Sequence, residues 1–110
     1  MEYLYKFTPL AVSDIDDALD YISGTLMNPE AAANLFSSMQ SEILRICDNP
    51  YAFPDCSHYL IDDSTIRHSV IGRHVLIFEV SENEKLIKIL RFLYGARDIT
   101  HTPITSSTQK

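Results

Sequence analysis

Apolar positions along the chain change their spacing from two residues to three or four, and this change predicts where a strand gives way to helices. Residues 2–7 alternate in the manner of a short strand, which Pro9 is expected to end. Ser13 is predicted to cap the helix that follows. The apolar stripe of that helix consists of Ile15, Ala18, Leu19, Ile22 and Leu26.

A second helix is predicted to begin at Asn28-Pro29, because asparagine caps helices well and proline is favoured at the first helical position. Its end is expected at Asn49, before Pro50. Its apolar stripe consists of Ala32, Leu35, Phe36, Met39, Ile43, Ile46 and Cys47. The short connection between the helices predicts an antiparallel hairpin that covers a sheet with its apolar faces.

A long loop and a first strand are predicted next. Residues 49–63 form the loop, whose length is typical of functional or mobile segments. Residues 64–70 alternate as a strand, with Ile66, His68 and Val70 on one face.

Two further strands complete a meander. A turn is predicted at Gly72, and residues 74–80 and 86–94 are both predominantly apolar. The last run carries Lys88 and Arg91 among apolar residues, and it is predicted to be a central strand buried on both faces. Because an unpaired buried charge is costly, these two side chains are expected to reach a rim, a groove or a partner.

The element order β-α-α-β-β-β predicts an α+β fold, in which a helical hairpin packs on one face of a small, mostly antiparallel sheet. The opposite face would then be left for solvent or for a partner. Residues 1–99 are expected to form this single domain, and residues 100–110 are expected to be a disordered polar tail.

Composition narrows the class of protein. The chain has 110 residues, and its 45% hydrophobic content is ordinary for one globular domain. It has neither an apolar run of membrane length nor a signal-peptide layout, so we expect a cytoplasmic protein without a membrane partner. Cys47 is expected to pack as a small hydrophobe. Cys56 and His58 lack a second ligand pair at zinc spacing, so no metal and no cofactor are expected.

Charge is unevenly distributed along the chain. The net charge is −6, but residues 1–60 carry nine acids and two bases, whereas residues 64–110 carry seven bases and four acids. Overall acidity argues against indiscriminate nucleic-acid binding, which needs many phosphate contacts. It leaves room for a local basic site on the last three strands.

The end of the last strand carries the most specific motif. Residues 89–98 read Ile-Leu-Arg-Phe-Leu-Tyr-Gly-Ala-Arg-Asp, Asn28 to Ala32 open the second helix, and Ile66-Arg67 begin the meander. Over residues 3–99 the chain resembles the RelE/ParE superfamily of toxins from bacterial type II toxin–antitoxin modules. The motif resembles the Ile-Leu-Arg-Val-Leu-His-Gly-Ala-Arg-Asp ending that is common in ParE-like members.

The resemblance implies a toxin that is neutralised by an antitoxin encoded beside it. RelE-like members cleave mRNA on the ribosome, and this reaction needs a proton acceptor, a proton donor and cations beside the phosphate. ParE-like members bind DNA gyrase and trap its cleaved-DNA complex without catalysis of their own. A chain that has lost its toxicity and only binds its antitoxin is a third alternative.

Departures from the nuclease pattern favour the ParE-like alternative. Nucleolytic relatives commonly place an aromatic residue and then an arginine after the turn glycine, but Gly72 is followed by Arg73, His74 and the apolar Val75. Tyr94 stands where many relatives have histidine, and a phenol is a poor base at neutral pH. Poisoning of gyrase is therefore the predicted action, with the ribosome-dependent mRNA endonuclease as the alternative.

Two sets of candidate site residues follow from the resemblance. An endonuclease would use Arg67, Arg91, Tyr94 and Arg97 in catalysis. A partner-binding surface would use Arg67, Arg73, Arg91 and Arg97. An antitoxin is expected to lay an amphipathic helix and an extended segment over this surface, with its acids pairing the arginines. The resemblance leaves open a homodimer or a heterotetramer with the antitoxin.

Each candidate also has a structural alternative. Arg67 could form a cross-strand ion pair with Glu79 or Glu82, and Arg91 could pair with an acid of the helices. The pair Arg97-Asp98 could fasten the end of the chain through a salt bridge. Tyr94 is more often a core or rim aromatic than a catalytic group. His68 and His74 lie near the turn and could act as general bases, but each is more often a strand-surface residue.

Overall fold

The structure is a computed structural model that describes residues 2–56 and 65–95. Its strands and helices are β1 (Leu4–Phe7), α1 (Pro9–Asp20), α2 (Pro29–Asp48), β2 (Ile66–Ile71), β3 (His74–Ser81) and β4 (Leu86–Tyr94). A π-helical turn, Tyr21–Thr25, extends α1, and a 3-10 turn, Pro50–Ala52, follows α2. The predicted order β-α-α-β-β-β is confirmed. The predicted tail at 100–110 and residues 57–63 of the predicted loop lie outside the described residues.

The four strands form one sheet in the order β1-β4-β3-β2. Strand β1 pairs in parallel with β4, while the β4–β3 and β3–β2 pairs are antiparallel. The sheet is therefore mostly antiparallel, and β4 is a central strand, as the sequence predicted. The β1–β4 register ends with Phe7 beside Ile89, whereas β4 continues to Tyr94, so β1 covers only the first part of the edge of β4.

The helical hairpin packs on one face of the sheet, and a second apolar cluster lies on the opposite face. The first cluster joins residues of both helices, such as Ile15 and Ile43, to Phe78 and Ile89 of the sheet. The second cluster consists of Cys56, Ile66, Val75, Ile77, Leu90 and Leu93. All six are at most 8% exposed. The expectation that the opposite face is left for solvent or for a partner is therefore wrong for these residues.

The first helix begins earlier than predicted, at Pro9. Thr8, and not Ser13, is its N-cap, because the Thr8 hydroxyl oxygen accepts a hydrogen bond from the Ala11 N–H at 3.1 Å. Pro9 occupies the first turn, where the fixed backbone of proline suits a helix. The Thr8 hydroxyl also donates to the carbonyl of Leu90 at 3.0 Å, so the cap fastens α1 to β4.

The second helix begins and ends where it was predicted. The Asn28 side chain accepts from the Ala31 N–H at 3.1 Å, Pro29 lies in the first turn, and Asn49 is the C-cap. Cys47 is fully buried, which confirms that it packs as a small hydrophobe. Two members of the predicted stripes, Leu26 of the first and Phe36 of the second, are exposed and do not belong to the core.

Strand β2 pairs with β3 in an unbroken register, so Ile66, His68 and Val70 lie on one face as predicted. Burial does not follow this alternation at the end of the strand, because Val70 is exposed and Ile71 is buried. Ser69 is buried because its hydroxyl donates to the carboxylate of Glu42 on α2. None of the helices in the described part of the chain is long and apolar enough to cross a membrane.

Candidate functional site

A cleft of about 780 Å³ opens on the helix side of the sheet, between the tip of the helical hairpin and the turn that joins β2 to β3. Most of its lining is apolar: Ala18, Tyr21, Ile22, Leu26, Leu35, Ile71, Phe92 and Leu93. Its polar side chains are Asp14, Asp17, Arg73, His74 and Tyr94. Concave apolar sites with a few polar groups are typical of binding sites.

The hairpin wall of the cleft has a fixed shape. The Leu26 N–H donates to the carbonyl of Tyr21 at 2.9 Å, which closes the π-helical turn, and the Asn28 N–H donates to the carbonyl of Ile22 at 3.0 Å. Between them Met27 adopts a left-handed backbone with φ of 53°. These contacts hold Tyr21 and Leu26 on the wall although both side chains are exposed. Such turns inside helices occur frequently at functional sites.

The sheet wall is a stack of rings. The His74 and Phe92 rings are stacked, with centroids 4.8 Å apart, and Tyr94 meets His74 edge to face at 5.3 Å. Burial lowers the pKa of His74, so this imidazole is neutral at neutral pH. His74 was predicted to be a strand-surface residue, and the structure places it on the cleft wall at the start of β3, partly buried against the Phe92 and Tyr94 rings. Tyr94 is exposed and lies at the rim, which is one of its predicted structural places.

Arg73 and Tyr94 meet at this rim. Arg73 follows Gly72, whose φ of +62° allows the tight turn between β2 and β3. A hydrogen bond between its guanidinium and the Tyr94 hydroxyl raises the pKa of Arg73. The structure thus brings together two residues that the sequence had placed in different candidate sets.

Arg91 lies behind the cleft, in an ion pair with Asp14 of α1. Its Nε donates to Oδ2 of Asp14 at 2.7 Å, and its Nη2 donates to Oδ1 at 2.9 Å. The same Oδ2 accepts from the backbone N–H of Phe92 at 3.0 Å. The hydrogen bond to Asp14 raises the pKa of Arg91. Arg91 was predicted either to belong to a functional site or to pair with an acid of the helices. The structure shows the pair.

Asp14 also supplies a hydrogen-bond acceptor to the edge of β4. Strand β1 ends opposite Ile89, so the N–H of Phe92 lies on an edge that no strand among the described residues covers. The Asp14 carboxylate takes the place of a strand carbonyl there. Two bonds from the guanidinium and one from the backbone leave this carboxylate little capacity for any further donor.

Arg67 lies in a different part of the molecule. Its Nη1 donates to the carbonyl of Phe53 at 2.7 Å, and its guanidinium lies over the Tyr51 ring, 5.0 Å from the centroid. The strand register places Phe78 opposite Arg67, and Glu79 opposite Ile66. Arg67 therefore holds the segment after α2 against β2, and it does not line the cleft.

His68 and Cys56 form a buried contact on the face away from the helices. The Cys56 Sγ lies 3.7 Å from Nδ1 of His68, and both side chains are buried. The prediction that His68 is a strand-surface residue is therefore wrong. Desolvation raises the pKa of the Cys56 thiol to about 12, so it is not a nucleophile at neutral pH. Among residues 2–56 and 65–95, no group of three or more acidic, histidine or cysteine side chains could hold a metal ion.

The candidates are thus only partly brought together. Arg73 and Tyr94 line the cleft, Arg91 is committed to Asp14, Arg67 lies elsewhere, and Arg97 lies outside the described residues. The hairpin wall of the cleft was not predicted from the sequence. The sequence does contain a signal for this wall. Three residues that line the cleft, Asp14, Asp17 and Tyr21, are separated by three and four positions. Positions separated by three and four residues share one helix face.

Comparison with known proteins identifies similar sequences and folds. Residues 5–99 match the family described as the ParE toxin of the type II toxin–antitoxin system parDE. No curated protein sequence matches the chain.

Two solved structures share the fold. A chromosomal ParDE toxin–antitoxin system from P. aeruginosa aligns with a TM-score of 0.68 at 18% identity, covering 86% of this chain and 97% of that one. The toxin–antitoxin complex RelBE2 from Mycobacterium tuberculosis aligns with a TM-score of 0.54 at 15% identity, covering 86% and 99%. Together they confirm the predicted α+β arrangement of two helices on a small mixed sheet.

Proposed function

The chain belongs to the ParE toxin family of type II toxin–antitoxin systems, and from this premise we propose that it poisons DNA gyrase and is neutralised by a cognate antitoxin. Gyrase poisoning requires a surface that recognises a protein, and it requires no catalytic group. The large apolar cleft supports recognition of this kind, because apolar walls with a few charges bind protein segments.

The ion pair between Arg91 and Asp14 is the observation that favours gyrase over the ribosome as the target. Cleavage of RNA needs cations beside the phosphate that gains charge in the transition state. The guanidinium of Arg91 is instead neutralised by a carboxylate, and both side chains are largely buried. Arg67, the other strand arginine of the endonuclease set, is likewise held by the Phe53 carbonyl.

We propose that the cleft is the place where the antitoxin binds. Its hairpin wall carries the exposed Asp17, whereas its opposite wall carries Arg73. An amphipathic helix would fit if its apolar face entered the cleft, with a basic residue beside Asp17 and an acid beside Arg73. The sequence predicted that acids of the antitoxin pair with arginines of the toxin, and this charge order adds a basic residue of the antitoxin that pairs with Asp17.

A pair of neighbouring variants tests the placement. Asp17→Lys is expected to weaken antitoxin binding by about tenfold or more, because it reverses a charge in the cleft wall. Asp16→Lys makes the same change one residue earlier, on an exposed side chain that does not line the cleft, and is expected to leave affinity within about twofold. Calorimetric titration of each variant with the protein encoded beside this one measures both constants. Equal losses in the two variants would contradict the placement.

An mRNA endonuclease is the second candidate, and one observation favours it. Arg73 and Tyr94 both line the open rim of the cleft, so a guanidinium and a phenol are available there together. A cation beside a proton donor is what cleavage at a ribose hydroxyl would need. In this alternative Arg73 would replace Arg91 as the cation nearest the phosphate.

Early incorporation of labelled precursors separates the alternatives. The chain is induced alone in a bacterium, and labelled thymidine and labelled methionine are followed together over the first minutes. We expect DNA synthesis to fall first. An earlier fall in protein synthesis would contradict gyrase poisoning and support the endonuclease. If neither falls, the chain is not toxic and acts at most as an antitoxin-binding relic.

A further inference from the structure

The tip of the helical hairpin presents exposed apolar side chains. Tyr21 and Leu26 are each 55% exposed, and Met27 is 82% exposed, the largest fraction among the large apolar side chains of the described residues. Methionine is more often buried, as Met39 of α2 is. The chain therefore presents one thioether to solvent at this tip and keeps another in its core.

The backbone holds Met27 at the tip although the residue type does not suit its conformation. Its φ of 53° lies in the left-handed region, which glycine and asparagine adopt more readily than a residue with a long side chain. Among residues 2–56 and 65–95, Lys85 is the only other non-glycine residue with a positive φ. Hydrogen bonds of the N–H groups of Leu26 and Asn28 fix the turn on both sides. Strained positions of this kind occur preferentially at functional sites, so we expect a use for the Met27 side chain.

Met27 lies next to the hairpin wall of the cleft. The residue before it, Leu26, belongs to the cleft lining, and so does Tyr21, whose carbonyl accepts from the Leu26 N–H at 2.9 Å. Met27 itself lies outside the lining. An antitoxin helix that enters the cleft between these walls would therefore pass the Met27 side chain and cover it. A flexible thioether suits such a contact, because it adapts to the shape of the partner.

Oxidation would change the chemistry of this contact. Hydrogen peroxide transfers one oxygen atom to a thioether: the sulfur supplies the electron pair of the new S–O bond, the O–O bond of the peroxide breaks, and water leaves with both protons. The sulfur is oxidised by two electrons and the peroxide is reduced. The product, methionine sulfoxide, is polar where the thioether was apolar, and methionine sulfoxide reductases reverse the change. Covering the sulfoxide with an apolar partner would cost binding free energy, because its oxygen loses water.

The other sulfur atoms of the described residues are shielded from a dissolved oxidant. Cys47 and Cys56 are fully buried, and this burial raises the pKa of both thiols, so almost no reactive thiolate is present at neutral pH. Met39 is 2% exposed and belongs to the core beneath the helices. Among the sulfur atoms of residues 2–56 and 65–95, that of Met27 is therefore the one open to peroxide.

We propose that Met27 is an oxidation site, at which hydrogen peroxide forms a sulfoxide that weakens binding of the antitoxin. The inference rests on the proposed function, because it takes the cleft as the antitoxin site. Oxidation would release the chain from its antitoxin, and reduction of the sulfoxide would restore the complex. The fold need not change, since the Met27 side chain lies outside the core.

Peroxide treatment of the isolated chain, followed by removal of the peroxide, tests the proposal. Mass spectrometry of peptides should show the gain of one oxygen at Met27 at a dose that leaves Met39 unmodified. Calorimetric titration with the protein encoded beside this one should then show binding at least about tenfold weaker than for the untreated chain. Full oxidation of Met27 with unchanged affinity would overturn the inference alone. No binding by the untreated chain would overturn it together with the proposed antitoxin partner.

Two matched variants assign the effect to this one sulfur atom. Met27→Leu keeps an apolar side chain that peroxide does not oxidise, so it should bind within about twofold of the unaltered chain, before and after treatment. Met27→Gln places an uncharged polar group there and should bind as weakly as the oxidised chain without any treatment. Neither side chain is branched at Cβ, and circular dichroism confirms that both variants are folded. Equal affinities of the two variants, or a loss of affinity when Met27→Leu is treated, would show that the inference is wrong.

Discussion

Asp14→Ala is expected to lower the free energy of unfolding by about 3 kcal/mol, because it removes three hydrogen bonds at once and leaves a charge unpaired. The variant removes the two carboxylate oxygens to which Arg91 donates and the acceptor of the Phe92 N–H. The Arg91 side chain is 17% exposed, so water can replace the lost carboxylate only in part. Urea denaturation of the refolded chain, followed by far-UV circular dichroism, measures the difference.

Asp16→Ala is the matched control for this prediction. It lies in the same helix and loses the same charge, but its side chain is exposed, so its effect should stay within about 0.5 kcal/mol. If both variants lowered the free energy of unfolding equally, the effect of Asp14→Ala would come only from the loss of a negative charge on the helix. The account of Asp14 as the partner of the β4 edge would then be wrong.

Elements whose signals are local were predictable from the sequence. The caps of α2 lie within a few residues of the helix they limit, and Asn28-Pro29 was interpreted correctly for this reason. Thr8-Pro9 carries the same signal, but Pro9 was assigned to the end of the strand before it. The central position of β4 was also predictable, because a strand buried on both faces needs a continuous apolar run.

Features that depend on contacts between distant residues were not predictable. Ser69 is buried because its hydroxyl donates a hydrogen bond to the Glu42 carboxylate of α2. The pattern of apolar residues in β2 does not indicate this partner. The choice of Asp14 as the partner of Arg91 depends on β1 being shorter than β4, so that the helix meets an open strand edge. The basic residues of the candidate site were named from the sequence, but the acid that neutralises one of them was not.

Replacing the Asp14–Arg91 ion pair by a neutral pair is expected to leave the chain folded and toxic. In the double variant Asp14→Asn/Arg91→Gln, the asparagine carbonyl can still accept from the Phe92 N–H, and its amide can donate to the glutamine carbonyl. Because neither side chain leaves a buried charge, the stability should return to within about 1–2 kcal/mol of the unaltered chain. Each single variant, with one charge remaining, should be less stable than the double variant.

Toxicity of the double variant then decides what Arg91 does. If the chain poisons gyrase through its surface, the double variant should still stop thymidine incorporation, since Asp14→Asn, the one change in the cleft lining, keeps the size of that side chain. If Arg91 is a catalytic cation, the double variant should be inert although it is folded, because glutamine cannot neutralise a phosphate. Antitoxin affinity, measured in parallel, shows that the surface is intact. A folded, antitoxin-binding and non-toxic double variant would therefore show that the charge of Arg91 is itself needed for toxicity, and it would contradict the account in which Asp14 neutralises that charge.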